Sequence, residues 1–430
     1  MKRNLDIKKY LTCKEGWNEI EEARKLYLIE SIKKEGTFLL DRKVLYDICH
    51  KYHLDTGKVI RLESALDEIE ENEDLLDLYR FLVWDLCRYK EGEDGWFYLD
   101  FQFTYPTRYP DCRKFLLLLA CLEPGEAMLK SRGIPEAYYE EIPFHRIAPQ
   151  MEQYKKTGNC EVLDFPWDKN FYTRSIFLLD RFYFIPYKFG DPFCLYRNKA
   201  DNRLIGIYDG GYAVRRDGQV VPERKKVEDA AFYTSFEEND DSVKGNYMNP
   251  CGILSGRVES LEKEDWGKAL QPGDLLLALH IPSGEGYNPH RLNRSMELAL
   301  QFYGKYFPEY AIKGFWSESW LYDNRLALLL EESTNIVSVQ RRFYNYSIGE
   351  GGAMLRREIW HRQDVDPDKV EPKTALEKKV VAILRAGGDF CTTSMIVLKE
   401  DVARIEKAPL YITESDWDEF QKIMSKNWCQ

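Results

Sequence analysis

Residues 274–290, DLLLALHIPSGEGYNPH, decide how this chain is read. Leu275-Leu276-Leu277-Ala278-Leu279 is an apolar strand, and His280 to Tyr287 is a loop that carries Gly284 and Gly286. Asn288 then offers a helix N-cap and Pro289 a residue suited to the first helical position, where a missing amide costs nothing. Leu292, Met296, Ala299, Phe302, Tyr303 and Tyr306 recur at helical spacing until Pro308 closes the run. A second strand, AIKGFWSESW (311–320), follows, then a short helix and a third strand before the segment ends at Phe343. A buried strand running into a glycine-bearing turn at a helix N-terminus is an arrangement that cradles phosphates. Exposed backbone N–H groups meet the positive end of the helix dipole there without needing a lysine. Arg291 and Arg294, in the first turns, add fork donors for phosphate oxygens.

If the two strands are parallel neighbours joined by the helix, their C-terminal ends lie side by side. His280, Ser317, Glu318, Ser319 and Tyr322 then converge beside the loop, where open sheets bind ligands. A histidine or glutamate next to a tyrosine supplies a general base and a general acid. The plainer alternative is that His280 is satisfied by backbone and that Tyr322 is a core residue.

The bulk properties narrow the field. The 430 residues allow two or three domains, and 44% hydrophobic with 14% aromatic residues implies a globular chain. A net charge of −11 argues against a nucleic-acid partner, which needs a basic field. It also means that any phosphate site has to be made locally. The ten cysteines contain no C-x-x-C pair, so free thiols in a reducing cytosol are expected, with neither a disulfide framework nor a metal site. Met1-Lys2-Arg3 leads into a polar segment rather than a secretory signal, and the longest apolar run, Phe115 to Leu122, is far too short for a membrane span. The expectation is a soluble cytoplasmic protein with no membrane partner; the oligomeric state stays open.

The class expected is α+β: a helical N-terminal domain at residues 1–157, then a mixed α/β domain at 158–430. In the first, Leu28, Ile29 and Ile32 share a helical face, and Asp55 or Thr56 caps a helix bearing Val59, Ile60, Leu62, Ala65 and Ile69. Leu75 to Leu86 continues the pattern. Further helices are expected near Arg113–Ser131, broken at Pro124-Gly125, and near Pro135–Lys155. Gly95 to Pro110 is an aromatic, proline-punctuated connection. In the second domain, Asp217-Gly218 signals a type I′ hairpin and Asp201-Asn202 a turn. Glu223 to Asn249 reads as an acidic surface excursion with some helix. SIGEGGAMLRREIW (347–360) reads as a turn and strand, and TALEKKVVAILRAGG (374–388) as a helix with a Thr374/Glu377 capping box and a Gly387-Gly388 stop.

LHIPSGEGYNP (279–289), SWLYDNRLALLL (319–330), TNIVSVQRRF (334–343) and TALEKKVVAILRAGG together resemble the GNAT-like acyltransferases. The closer resemblance is to a bacterial family of acyltransferase-domain proteins with a helical N-acyltransferase N-terminal domain and a GNAT-like C-terminal domain with a splayed central sheet. The resemblance implies transfer from acetyl-CoA or another acyl-CoA to a small-molecule acceptor, an amine or similar nucleophile. An acidic chain suits a cationic amine. Pyrophosphate would rest on the amides of Gly284 to Asn288, with pantetheine between the strands. The coenzyme set would be Leu279, Ile281, Ser283, Gly284, Gly286, Asn288, Arg291, Arg294 and Ser317. Glu318 or His280 would take the acceptor's proton, a backbone N–H of the first strand would hold the oxyanion, and Tyr322 would protonate the leaving thiolate. Two residues depart from the superfamily's loop: Ile281 stands where a Gln or Arg is usual, and Glu285 puts a carboxylate beside the pyrophosphate. Both favour the rival, a GNAT-shaped binding or sensor module without turnover. A hydrolase using Ser317 or Ser319 is weaker, since neither sits in a Gly-x-Ser-x-Gly elbow.

Overall fold

Asn72 shows how locally the helical half is specified. Its side chain accepts from the amides of Asp74 and Leu75, which separates two helices that the hydrophobic pattern alone would run together. A computed structural model describes residues 6–13, 17–30, 40–88, 101–348, 352–407 and 410–429. Ile32, residues 95–100 of the aromatic connection and residues 349–351 lie outside the described residues. The chain divides into two compact units, Met1–Leu178 and Leu179–Gln430.

The first unit holds α1 (Trp17–Glu30), α2 (Arg42–Lys51), α3 (Thr56–Glu70), α4 (Glu73–Cys87), α5 (Cys112–Ala120), α6 (Leu122–Ser131), α7 (Phe144–Thr157) and α8 (Phe165–Tyr172). A two-residue ladder joins β1 (Leu11–Thr12) to β2 (Gln102–Phe103). Asp55 caps α3 by accepting from the Lys58 amide at 3.0 Å, as its position suggests. The break expected at Pro124-Gly125 falls earlier, at Cys121. Pro124 sits within the first turn of α6, where its missing donor is harmless. Gly125 is there for contact: a Cβ would lie 2.6 Å from the Thr173 carbonyl oxygen.

The unit boundary falls in β3 (Phe177–Leu179). The second unit is built on β4 (Phe182–Lys188), β5 (Phe193–Asn198), β6 (Leu204–Tyr208), β7 (Ala213–Val214), β8 (Phe232–Tyr233), β9 (Phe236–Glu238) and β10 (Ser242–Asn249). It continues with β11 (Cys251–Glu262), β12 (Trp266–Leu270), β13 (Leu275–His280), β14 (Ile312–Ser319), β15 (Tyr344–Ser347) and β16 (Thr393–Leu398). Its helices are α9 (Pro289–Tyr306), α10 (Asn335–Gln340), α11 (Ala353–Trp360), α12 (Ala375–Arg385) and α13 (Glu414–Asn427).

One sheet runs β12-β5-β6-β10-β11-β15-β16-β14-β13-β4. An antiparallel group from β12 to β11 joins the central strands through the short parallel pairing of Cys251 with Asn345 and Gly252 with Tyr346. One face of the central strands builds a core of Leu276, Ile396, Leu398, Tyr344 and Tyr346. Leu292, Met296, Ala299, Phe302 and Tyr303 of α9 are buried, and Tyr303 donates to the Phe184 carbonyl at 3.2 Å, so the predicted stripe is buried and packs on β4.

Several expectations need correction. Glu223 to Asn249 contains strands β8, β9 and β10 rather than helix. The polarity of β8 and β9 reflects exposure, since neither has a buried residue, whereas β10 is buried at six of its eight positions. Residues 353–360 form helix α11, not a strand, with Leu355 buried. The third strand of the deciding segment starts at Tyr344, just past Phe343, because residues 335–340 take up α10. Gly218 takes a positive φ of 81° and Asp217 does not, so the turn is not type I′. It is closed by Gly218 N–H to the Arg215 carbonyl at 3.0 Å and Arg215 N–H to the Gln219 carbonyl at 2.9 Å. Thr374 does accept from the Glu377 amide, but the Glu377 carboxylate reaches the Lys373 amide and leaves the box incomplete. The full capping box is at Thr413 and Asp416.

Candidate functional site

The site begins where β13 and β14 stop pairing. They run parallel, with Leu275, Leu276, Leu277 and Ala278 opposite Ile312, Gly314, Phe315 and Trp316, and the register ends there. Beyond it each strand follows its outer neighbour. Leu279 and His280 stay with Phe184 and Tyr183 of β4, while Ser317, Glu318 and Ser319 stay with Met395, Ser394 and Thr393 of β16. The two strands are therefore pinned apart from outside, and a split opens at their C-terminal ends, as the splayed sheet required.

Alternation along a strand sends neighbouring side chains to opposite faces. Ala278 faces Trp316 in register, so His280 and Glu318 share one face of the split, and Leu279 and Ser317 share the other. The expected convergence of His280, Ser317, Glu318, Ser319 and Tyr322 thus resolves into two groups on opposite faces.

On the first face, Tyr187 stacks on Trp316 with ring centroids 4.2 Å apart. Trp316 donates from Nε1 to the Tyr346 hydroxyl at 2.8 Å, and Tyr346 donates to the carboxylate of Asp191. Glu318 is exposed at the end of this row. Partial burial and the Asp191 carboxylate raise its pKa, against the pull of Arg357. Burial pushes His280 the other way, down to about 4, so its imidazole is neutral at physiological pH. A base works best when its pKa approaches the operating pH. By that measure Glu318 is moved toward the task and His280 away from it.

On the second face, Tyr322 follows β14 in a short 3-10 turn and is fully buried. Its hydroxyl donates to Ser317 Oγ at 3.0 Å, and Ser317 donates to the Leu279 carbonyl at 2.7 Å, bridging the split. Burial raises the Tyr322 pKa, which keeps the phenol protonated. The Tyr287 hydroxyl, from the loop, lies close enough to influence Tyr322.

The loop owes its shape to Arg181, a residue that no local pattern singled out. Arg181 Nε donates to the Glu285 carbonyl at 2.6 Å, and Nη2 donates to those of Pro282, Ser283 and Gly284 at 2.7, 3.3 and 3.0 Å. A guanidinium thus gathers the loop's carbonyls, and the local positive charge offsets an acidic chain. Gly284 and Gly286 take φ of 103° and 97°, a region costly for other residues. Ile281 and Ser283 lie at the loop's start, half-buried and exposed in turn. Asn288 caps α9 by accepting from the Arg291 amide at 3.0 Å, while its own amide bonds the Gly286 carbonyl. Arg291 and Arg294 each place Nε toward Asp180, at 3.1 and 3.6 Å. They anchor the Asp180-Arg181 turn and remain partly exposed at the helix start.

Residues 212–395 match the model of the GNAT-like C-terminal domain family. Its fold is shared with an acyltransferase solved in complex with CoA and 10C-Teicoplanin, at 15% identity and a TM-score of 0.51, over 88% of this chain and 99% of that one. An acyltransferase mutant solved with octanoyl-CoA matches at 16% identity and a TM-score of 0.48, over 88% and 99%. No curated protein matches. Among the described residues, no helix is long and apolar enough to cross a membrane.

Proposed function

We propose that this chain transfers an acyl group directly from an acyl-coenzyme A to a small-molecule acceptor, with acetyl as the acyl group and an amine as the nucleophile. The observation that carries this reading is the split after Ala278 and Trp316, opening beside a glycine loop at the N-terminus of an 18-residue helix. Pyrophosphate would rest on loop amides over the Arg181 charge, and pantetheine would enter between β13 and β14. Glu318 would take the acceptor's proton, with His280 as a neutral acceptor beside it. Tyr322, held protonated, would return a proton to the departing thiolate once Ser317 releases it. The fold neighbour that binds CoA together with 10C-Teicoplanin supports a coenzyme plus a small acceptor.

The second reading, a binding module without turnover, draws on Ser317: its bond to Leu279 occupies a backbone carbonyl on the path assigned to pantetheine. Titration calorimetry with acetyl-CoA and with longer acyl-CoA tests the coenzyme half; no heat and no thermal shift with any of them removes it. Thiol release with a panel of amines then separates the two. Tight coenzyme binding without release under any acceptor selects the module.

A further inference from the structure

In the helical unit, two thiols 48 positions apart in sequence meet in the interior. Cys112 opens α5 and Cys160 lies between α7 and α8; both are fully buried, with their sulfurs 3.1 Å apart. Arg61 reaches them from α3. Its Nη1 lies 3.1 Å from Cys112 Sγ, and its Nη1 and Nη2 donate to Asp111 Oδ2 and Oδ1 at 3.0 and 2.6 Å. Asp111 Oδ2 also accepts from the Cys160 amide at 3.0 Å and faces its thiol at 3.5 Å.

Asp111, Cys112 and Cys160 are close enough to be considered as metal ligands. The arrangement argues otherwise. Both Asp111 oxygens are already held by a guanidinium, and a fixed cation sits against Cys112. Two thiolates on a tetrahedral zinc, each at about 2.3 Å from the metal, stand roughly 3.8 Å apart. The sulfurs here are closer than that, on the way to the roughly 2.05 Å of a disulfide bond. Arg61 Nη1, 3.1 Å from Cys112 Sγ, places a positive charge where negative charge gathers as that sulfur attacks an oxidant.

We propose that Cys112 and Cys160 form a redox pair that closes an intramolecular disulfide on exposure to peroxide, tying the start of α5 to the segment after α7. The Cys112 thiolate attacks one oxygen of hydrogen peroxide and the O–O bond breaks. Cys112 becomes a sulfenic acid, and the released hydroxide takes up a proton to become water. The Cys160 sulfur then attacks the Cys112 sulfur and the S–O bond breaks. The Cys160 proton, passed through Asp111, leaves with the hydroxyl as a second water. Two thiols lose two electrons in total, and one peroxide gains them.

The full-length protein is treated with hydrogen peroxide, its remaining thiols are alkylated, and its peptides are mapped by mass spectrometry before and after dithiothreitol. The expected result is a reducible cross-link between the peptides carrying Cys112 and Cys160, with a melting temperature above that of the reduced protein. Cys112→Ser and Cys160→Ser should each abolish the cross-link. Wild-type mapping decides the matter even if those variants fold poorly. Cys112 and Cys160 left fully alkylatable after exposed Cys429 is consumed overturn the proposal. So does Cys112 oxidised to a sulfinic acid without a bridge, or stoichiometric zinc uptake by the untreated protein that depends on both cysteines.

Discussion

The hydroxyl of Ser317 donates to the Leu279 carbonyl at 2.7 Å, across a gap where β13 and β14 no longer pair. A side chain stands in for a ladder bond, and Tyr322 uses the same hydroxyl as its acceptor. Ser317→Ala leaves the buried Tyr322 hydroxyl without that acceptor, a loss of about 1–3 kcal/mol. It also frees the Leu279 carbonyl for a pantetheine amide. We expect a lower denaturation midpoint together with unchanged or tighter acyl-CoA binding. An unchanged midpoint would mean that the bridge is incidental.

Arg181 and the loop carbonyls predict a binding defect that leaves the fold intact. Replacing Arg181 by Ala removes four hydrogen bonds to Pro282, Ser283, Gly284 and Glu285. Loss of charge-assisted bonds at a phosphate cradle should weaken acyl-CoA binding roughly 10- to 100-fold, or about 1.4–2.8 kcal/mol. Arg181→Lys should restore little, since a point charge cannot reach several carbonyls as a fork does. Calorimetric affinity beside circular dichroism checks both; equal affinity in Arg181→Ala would detach the loop from the coenzyme.

Gly284 and Gly286 share a backbone region but not a neighbourhood. A Cβ at Gly286 would lie 3.4 Å from the Arg181 side chain, while at Gly284 it would meet nothing within 4 Å. Gly284→Ala should carry only the left-handed backbone cost of about 1–2 kcal/mol. Gly286→Ala carries the same backbone cost and brings its methyl only into ordinary contact with Arg181, so the two variants should lose acyl-CoA affinity to a similar extent. A much larger loss in Gly286→Ala by calorimetry would show that Arg181 cannot give way to the methyl.

Glu318 predicts how activity follows pH. Its raised pKa comes from burial first and Asp191 second, with Arg357 opposing. As the base, it must be ionised, so turnover should rise with pH along a limb set by that raised value. Arg357→Ala removes the opposing charge and should move the limb to higher pH; Asp191→Asn should move it lower. Glu318→Gln should cut kcat about 10²- to 10⁴-fold. The folded protein also holds this proton more tightly than the unfolded chain. Stability from Glu318 is therefore complete at low pH and is lost as pH rises through its folded pKa. A limb indifferent to both charge changes would transfer the role elsewhere.

What could be read from the sequence was what is local. Asn288-Pro289, the α9 stripe and the apolar run of β13 each specify an element within a few residues, and all three stand where expected. Arg181 was invisible because its partners lie 101 to 104 positions away. The two faces of the split were hidden for a related reason. Register decides them, and register depends on β4 and β16, which hold the strands from outside. α11 was mistaken for a strand because Leu355 is its one buried residue, leaving too short a pattern to separate the two periods. β9 failed the opposite way: an exposed strand shows no apolar alternation at all.

His280 supplies a stability signal distinct from any catalytic one. Burial lowers its pKa from an ordinary 6.5 to about 4. Below pH 6.5 the unfolded chain binds a proton that the folded protein refuses until about pH 4. The stability tied to the neutral ring is therefore complete above pH 6.5 and falls away as pH drops through that window. The loss should be of the order of 2 kcal/mol once solvent screening is allowed for. His280→Gln removes the titration, so the variant's melting temperature should fall less than the wild type's between pH 7 and pH 4.5. Parallel melting curves for the two proteins across that range would show that the imidazole takes up its proton without strain and faces water rather than the interior.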